Sequence, residues 1–198
     1  HARRQINAYR KMMYGESAPE FQSTSEGAGG TDDAYQEGQT TAAESSTPLG
    51  SMATEMALER AQQAVQTAQR AGYNLDFTIE SLRTVDKIIH EIGNSKTVTS
   101  TASDQVFQLG CYAGETMRRF HGGEWHHPDE SDLYRMIGPY MLVVLSSAAS
   151  VKESRPQILN PIGKALNMLE NDSAGTLVSY HEMVQRSDTS ESNATRPF

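Results

Sequence analysis

Cysteine is almost absent from this 198-residue chain, whose single example is Cys111. One cysteine cannot form a disulfide within the chain, so a disulfide framework is excluded and a reducing compartment is favoured. Long apolar runs are missing as well, because the stretch YMLVVL (140–145) falls far short of the about 20 residues that span a membrane. The sequence therefore predicts a cytoplasmic protein without a membrane partner.

Basic residues are also scarce. The chain has 17 Lys and Arg against 25 Asp and Glu, which gives a formal net charge of -8. Clustered basic side chains are what binds nucleic acids and anionic membranes, so neither is an expected partner. An acidic surface suits a basic protein instead, and this is the class of partner that the charge favours.

Apolar residues make up 37% of the sequence, below the about 45–50% that is usual for a globular chain. The deficit is concentrated in residues 1–51, which are rich in Ser, Thr, Gly, Glu and Gln and cannot bury enough surface to offset their ordering entropy. We interpret 1–51 as a disordered tail or linker, 52–186 as a single domain, and 187–198 as a second disordered tail.

Residues 2–15 differ from the polar segment that follows them. They are basic and place Ile6, Tyr9 and Met12 at roughly helical spacing, which predicts a short helix. We favour a frayed terminal helix. The alternative is a helix that docks on a partner, which would give the protein a scaffold or assembly role.

The segment PLGSM (48–52) is similar to the residues that an engineered protease site leaves before a start methionine. This similarity provides a second interpretation of the N-terminal segment. On that interpretation the natural domain begins at Met52, and residues 1–47 are a fused foreign segment.

Three amphipathic helices are predicted between residues 54 and 120, the first two ending near Gly72 and Gly93. Their apolar faces carry, in turn, Leu58, Ala61, Val65 and Ala68; Leu82, Val85, Ile89 and Ile92; and Val106, Gly110, Ala113, Gly114 and Met117. A glycine inside a helix costs about 1 kcal/mol against alanine, so the two on one face indicate close contact with another element. That contact lies either within the chain or across a homodimer.

The pattern changes after the HGG turn (121–123). Short segments rich in aromatic and branched residues predict three or four strands: WHH (125–127), LYRMI (133–137), YMLVVL (140–145) and PQIL (156–159). Asn160 then caps the helix PIGKALNMLEN, and Ser173 caps a last helix, AGTLVSYHEMVQ. This order predicts an α+β fold with N-terminal helices, a small antiparallel sheet and two C-terminal helices.

The densest part of the chain is LGCYAGETMRRFHGGEWHHPDE, which offers several side chains of the types that bind metal ions. These are His121, His126, His127, Asp129 and Glu130. A metal-dependent hydrolase centred on His121, His126 and Asp129 is therefore one hypothesis. Neighbouring histidines point to opposite faces of a strand, however, and glycines end the helix directly after His121. We favour turn histidines and no metal site.

The same stretch yields no convincing catalytic set. Cys111 lies in the middle of a predicted helix among small residues, which is typical of a buried, inert thiol. Glu115 and Glu124 are the plausible pair for glycoside hydrolysis, but nothing in the sequence fixes their separation. No glycine-rich nucleotide-binding motif is present. The sequence therefore predicts neither catalytic residues nor a cofactor.

A structural interpretation of this stretch is preferred. Glu115 precedes two arginines on the third helix, so a partly buried carboxylate there would hold an arginine or backbone donors. Trp125 would cover the end of the same helix. The residues that form the predicted junction between helix and sheet are Tyr112, Gly114, Glu115, Gly123 and Trp125.

The segment GCYAGETMRRFHGGEW resembles a motif of small uncharacterised bacterial domains: a helix with the pattern G-x-Y-x-G-E, a glycine turn, and a tryptophan that starts a strand. SLRTVDKII and LNPIGKALNMLENDSAGTLVSYHEMV also look similar to these domains, so the resemblance covers about residues 75–185. Asp172 after Asn171 departs from the glycine of that pattern. The resemblance implies an α+β fold and no catalytic residues.

These observations favour a non-enzymatic protein that acts by binding another protein. By analogy with other small bacterial proteins that accompany toxins, the hypothesis is an immunity protein that neutralises a basic toxin. The alternatives are the metal-dependent hydrolase and the scaffold protein described above.

Overall fold

The computed structural model describes residues 49–95, 100–146, 157–171 and 173–193. The chain divides into two compact units, His1–Thr47 and Pro48–Phe198. The first unit lies outside the described residues, and so do the predictions made for residues 2–15 and 1–47.

The second unit is a mixed α+β fold, as predicted from the sequence. In the described part its helices are α1 (Leu49–Arg70), α2 (Leu82–Asn94), α3 (Ser100–His121), α4 (Asp132–Ile137), α5 (Pro161–Glu170) and α6 (Leu177–Asn193). The strands described are β1 (Glu124–His126), β2 (Leu142–Val144) and β3 (Ile158–Leu159), and a 3-10 turn lies at Pro128–Glu130. None of these helices combines the length and the apolar composition needed to cross a membrane.

Both ends of the unit differ in detail from the predicted boundaries. Helix α1 begins at Leu49, three residues before the predicted start of the domain at 52. Helix α6 continues to Asn193, beyond the predicted boundary at 186, and residues 194–198 lie outside the described part.

Helix α1 packs along α3 through a stripe of alanines. Its buried residues are Ala53, Ala57, Ala61, Ala64 and Ala68. The predicted stripe was therefore wrong in part, since Leu58 and Val65 are only half-buried. An alanine removes little apolar surface from water when it is buried. Its small size nevertheless lets the backbones of α1 and α3 approach closely, and α1 therefore buries its alanine face rather than the face with Leu58 and Val65.

Helix α3 lies at the centre, and every residue from Val106 to Met117 is buried. Its glycine Gly110 faces α5, where a Cβ would lie 2.7 Å from the Cα of Ile162. Real Cβ atoms do not approach other atoms this closely, so α3 and α5 can pack at this distance only with glycine at this position. The predicted close contact is thus made within the chain.

The sheet is antiparallel with the order β1-β2-β3. Glu124 pairs with Val144, and His126 pairs with Leu142. The prediction of a strand at 133–137 was wrong, because this segment forms α4. Its aromatic and branched composition favoured a strand, but the Oγ of Ser131 accepts a hydrogen bond from the N–H of Tyr134 (3.1 Å) and caps a helix.

The two C-terminal helices begin in different ways. Asn160 caps α5, as predicted, with its Oδ1 accepting from the N–H of Gly163 at 2.8 Å. The predicted cap at Ser173 was wrong. The first amides of α6, Leu177 and Val178, donate instead to the carboxylate of Asp86 on α2, at 2.7 and 3.3 Å. The last helix is therefore held at its start by a side chain 91 residues away in sequence.

Candidate functional site

Gly114 and Trp125 form the closest contact between α3 and the sheet. A Cβ at Gly114 would lie 2.6 Å from Cγ of Pro161 and 2.7 Å from Cζ2 of Trp125. The indole of Trp125 is 1% exposed and takes the space that a side chain on α3 would otherwise fill. The second glycine of the G-x-Y-x-G-E motif is Gly114, and the packing of Trp125 and Pro161 explains why this position has no side chain.

The Glu115 carboxylate is fully buried beside this contact. Its Oε2 accepts hydrogen bonds from Nε of Arg118 (2.8 Å) and Nε1 of Trp125 (3.2 Å). Its Oε1 accepts from Nη2 of Arg118 (3.0 Å) and Nε of Arg119 (2.7 Å). Burial alone raises the pKa of Glu115, but these donors outweigh it and hold the pKa below its usual value. The carboxylate therefore stays ionised and fully engaged.

Tyr112 joins α3 to the loop between α1 and α2. Its hydroxyl accepts from the N–H of Phe77 at 2.6 Å and lies 2.6 Å from the Oγ of Ser81. Phe77 has φ 60°, a left-handed conformation that is uncommon for a bulky residue. Its ring packs on Tyr112 (4.6 Å between centroids), and the guanidinium of Arg119 lies over it at 4.0 Å. Contacts thus run from Glu115 through Arg119 and Phe77 to Tyr112.

Sequence reasoning did not find Phe77 or Ser81 as members of this network, nor that Arg119 connects Glu115 to them. The sequence carries a local turn signal in the loop before α2, but none for the contact between this loop and α3. Asp76 Oδ1 accepts from the N–H of Thr78 (3.0 Å), which is a recognisable turn pattern. Nothing in that turn identifies its partner on α3.

Gly123 makes the turn from α3 into β1. It has φ +131°, and a Cβ there would lie 2.9 Å from the Cα of Leu145 on the strand segment alongside. Its carbonyl also accepts a long hydrogen bond from Nη1 of Arg118 (3.4 Å). Gly114, Glu115, Gly123 and Trp125 thus lie where α3 meets the sheet, whereas Tyr112 contacts the loop before α2.

The histidines of the proposed metal site lie in two separate places. His126 Nδ1 is 2.6 Å from Glu130 Oε2, and the other oxygen of Glu130 accepts from the N–H of His127 at 2.6 Å. These bonds stabilise the turn at Pro128–Glu130. The ring of His121 packs instead against His181, with centroids 5.0 Å apart. Across the described ranges, no three His, Cys, Asp or Glu side chains are placed to hold a metal ion.

The other catalytic candidates are the thiol of Cys111 and the carboxylate pair of Glu115 and Glu124. Cys111 is fully buried, and burial raises the pKa of its thiol well above the ordinary value. A thiol in that state is a poor nucleophile. Glu115 is occupied by its four donors, whereas Glu124 is exposed on β1. The structure gives these groups no shared reaction centre.

His181 is a buried imidazole on α6, 3% exposed, whose Nε2 has no hydrogen-bond partner in the described part of the chain. Burial lowers the pKa of His181, and the neighbouring His121 lowers it further, against the opposite effect of Glu182 and Glu80. The native state therefore favours the neutral ring.

We expect the free energy of unfolding to fall as the pH decreases below 6.5, the ordinary pKa of histidine. The unfolded chain takes up a proton on His181 there before the native state does, so the stability present above pH 6.5 is lost as the pH falls through the native-state pKa. Burial lowers the pKa of His127 as well, with the same sign. Urea denaturation at pH 7.5 and 5.5 measures the change.

The matched variant for this prediction is His181→Leu, which keeps an apolar side chain at the same place. It should lose less of its stability between pH 7.5 and 5.5 than the wild type, while His127 continues to contribute in both proteins. Identical losses in the two proteins would contradict the role given to His181.

No protein-family model, no curated protein and no solved structure matches the chain. These comparisons therefore do not test the resemblance to small bacterial domains, which stays a prediction.

Helix α4 differs from the junction because none of its residues is buried. Leu133 is 55% exposed, Met136 is 84% exposed and Ile137 is 38% exposed. Next to them, the exposed carboxylates of Asp129 and Asp132 form an acidic border. We call these five residues the α4 surface. Large apolar side chains grouped at the surface with a polar border are typical of a binding site.

Proposed function

We propose that this protein is a non-enzymatic, protein-binding domain that recognises a basic partner through the α4 surface. The observation that carries the proposal is the exposure of Leu133, Met136 and Ile137 on one short helix with no buried residue. This helix packs on its own domain through Tyr134, whose ring lies 5.2 Å from that of His126, and its exposed apolar side chains are available for another protein.

The chemistry of the partner follows from the border of the α4 surface. Residues 129–137 contain three carboxylates and one arginine, and the whole chain carries a net charge of -8. Acidic groups around an apolar centre attract a basic protein and orient it before contact. The apolar centre then supplies the affinity, since methionine and large apolar groups at the middle of an interface lose the most water.

The finer proposal is a cytoplasmic immunity protein whose partner is a basic toxin. Its support is the acidic balance of the chain and the resemblance of the GCYAGETMRRFHGGEW segment to small bacterial domains. The immunity role itself rests on analogy between proteins of similar size and setting.

The experiment mixes the full chain with purified products of the genes adjacent to its own and measures binding by calorimetry. We expect one basic product to bind, and Met136→Glu and Leu133→Glu each to weaken its binding at least about 10-fold, because a charge is forced into an apolar contact. Met183→Glu changes a methionine on α6 that is 56% exposed, close to the 55% of Leu133; it is the control and should bind as the wild type does.

Two results would overturn the proposal at different levels. Failure of every neighbouring gene product to bind would count against the immunity role. If a basic partner binds, and Met136→Glu and Leu133→Glu do not change its affinity, the α4 surface is not its binding site.

Raising the salt concentration should slow association without abolishing the complex, because the acidic border acts over a distance that salt screens.

A further inference from the structure

A cavity of about 410 Å³ opens between the second halves of α1 and α2 and the first half of α3. Its apolar walls are formed by alanines together with Ile88, Ile92 and Leu109, and polar side chains such as Thr67 and Gln105 line the rest. Small-molecule sites in proteins are commonly about 300–1,000 Å³ and mostly apolar, with a few placed polar groups. The cavity fits this description and is separate from the residues of the α4 surface.

The cavity exists because four of its wall residues are alanines. Ala64 and Ala68 belong to the stripe through which α1 approaches α3, Ala71 directly follows α1, and Ala102 lies near the start of α3. Side chains of ordinary core size at these positions would fill the space. The isoleucines of α2 face the alanines from the other side and give this part of the cavity an apolar surface.

One charged side chain lines the cavity, the carboxylate of Glu91. Its Oε2 accepts a hydrogen bond from the hydroxyl of Tyr73 at 2.6 Å, which fixes the carboxylate beside the tyrosine ring. Its Oε1 has a 3.8 Å contact with Nζ of Lys87, which also lies 5.3 Å from the centroid of the Tyr73 ring, so an ammonium head must displace this lysine. Both side chains of the ion pair are at least half exposed. Such a long, exposed ion pair is weak, so a ligand cation can compete with it.

We propose that this cavity binds a small amphiphile with an apolar body and an ammonium head. The body lies against the alanines and isoleucines, and the head takes the place beside Oε1 of Glu91. An anionic head is disfavoured by the same carboxylate. The proposal is independent of the α4 surface, so either can fail without the other.

The test uses the full chain and two probes of equal length and opposite charge, n-decylammonium and decanoate, titrated by calorimetry at pH 7.5. We expect decylammonium to bind about three- to fivefold more tightly than decanoate, because an exposed carboxylate such as Glu91 contributes at most about 1 kcal/mol to an ion pair. Glu91→Gln should make the two affinities equal within the error of the titration. Glu59→Gln, an exposed glutamate of α1 outside the cavity, is the matched control.

Two filling variants test the location. Ala102→Leu and Ala71→Leu each place a larger side chain on the wall, and both should weaken decylammonium at least 10-fold while circular dichroism shows native helix content. Ala71 is exposed at the end of α1, so its variant folds even if Ala102→Leu does not. Absence of decylammonium binding to the wild type, equal affinity for both probes, or unchanged affinity in Ala71→Leu would each overturn the proposal.

Discussion

Replacing Gly114 with alanine is expected to destabilise the domain by about 3 kcal/mol or more, the upper range for overpacked cores. The added Cβ would lie 2.6 Å from Cγ of Pro161 and 2.7 Å from Cζ2 of Trp125. Neither neighbour can move easily, because Trp125 is held by Glu115 and Pro161 forms the first turn of α5. Urea denaturation of wild type and variant measures the difference.

The control for this prediction is Gly93→Ala, also within a helix. A Cβ there would meet nothing closer than 3.7 Å, an ordinary contact with the carbonyl oxygen of Leu169. Alanine is favoured over glycine in helices by up to about 1 kcal/mol, so this variant should be slightly more stable than the wild type. The same substitution thus has opposite signs at two positions. A Gly114→Ala protein as stable as the wild type would contradict the described contact with Trp125.

The second large effect is expected for Glu115→Ala, which should destabilise the domain by about 1–3 kcal/mol, the cost of leaving a buried hydrogen-bond donor without its acceptor. The indole N–H of Trp125 would lose its acceptor, and Arg118 and Arg119 would lose the charge that orients them. Arg119 would also be released from its position over Phe77, so the effect reaches the loop before α2. Chemical denaturation and the near-ultraviolet signal of the single tryptophan report both consequences.

The pH dependence of Glu115 gives an independent check. Its pKa is lowered in the native state, so its contribution is complete above about pH 4.5 and is lost as the pH falls through the native-state value. Glu115→Gln keeps the shape of the side chain but should show a smaller loss of stability on acidification. Asp132→Ala is the control: it breaks an exposed ion pair with Arg135 and should change stability by at most about 0.5 kcal/mol. Equal acid sensitivity of wild type and Glu115→Gln would contradict this account.

The parts of the fold that could be predicted depend on neighbours in sequence. Asn160 and Pro161 mark the start of α5 because the cap and the proline act within one turn. Glycines within α3 predicted close contacts, since few other reasons keep glycine in a buried helix. The proximity of Glu115 to Arg118 and Arg119 follows from helical spacing alone.

The parts that sequence reasoning missed depend on distant residues or on competing local signals. Asp86 caps α6 from another helix, and no pattern near Leu177 identifies it. The segment at 133–137 has the composition of a strand, and the cap at Ser131 outweighs that composition. The cavity depends on how three helices meet, which an alanine stripe on α1 permits but does not specify.

Within the described residues, the outer strands of the sheet are two or three residues long, Glu124–His126 and Ile158–Leu159. An edge this short offers few unpaired backbone groups to a strand from another molecule, and short edges are a common protection against aggregation. Backbone pairing across that sheet is therefore a poor route to self-association. A partner that binds the described surfaces would therefore contact mainly side chains. Their identity can change in evolution without disturbing the hydrogen bonds that hold the sheet together.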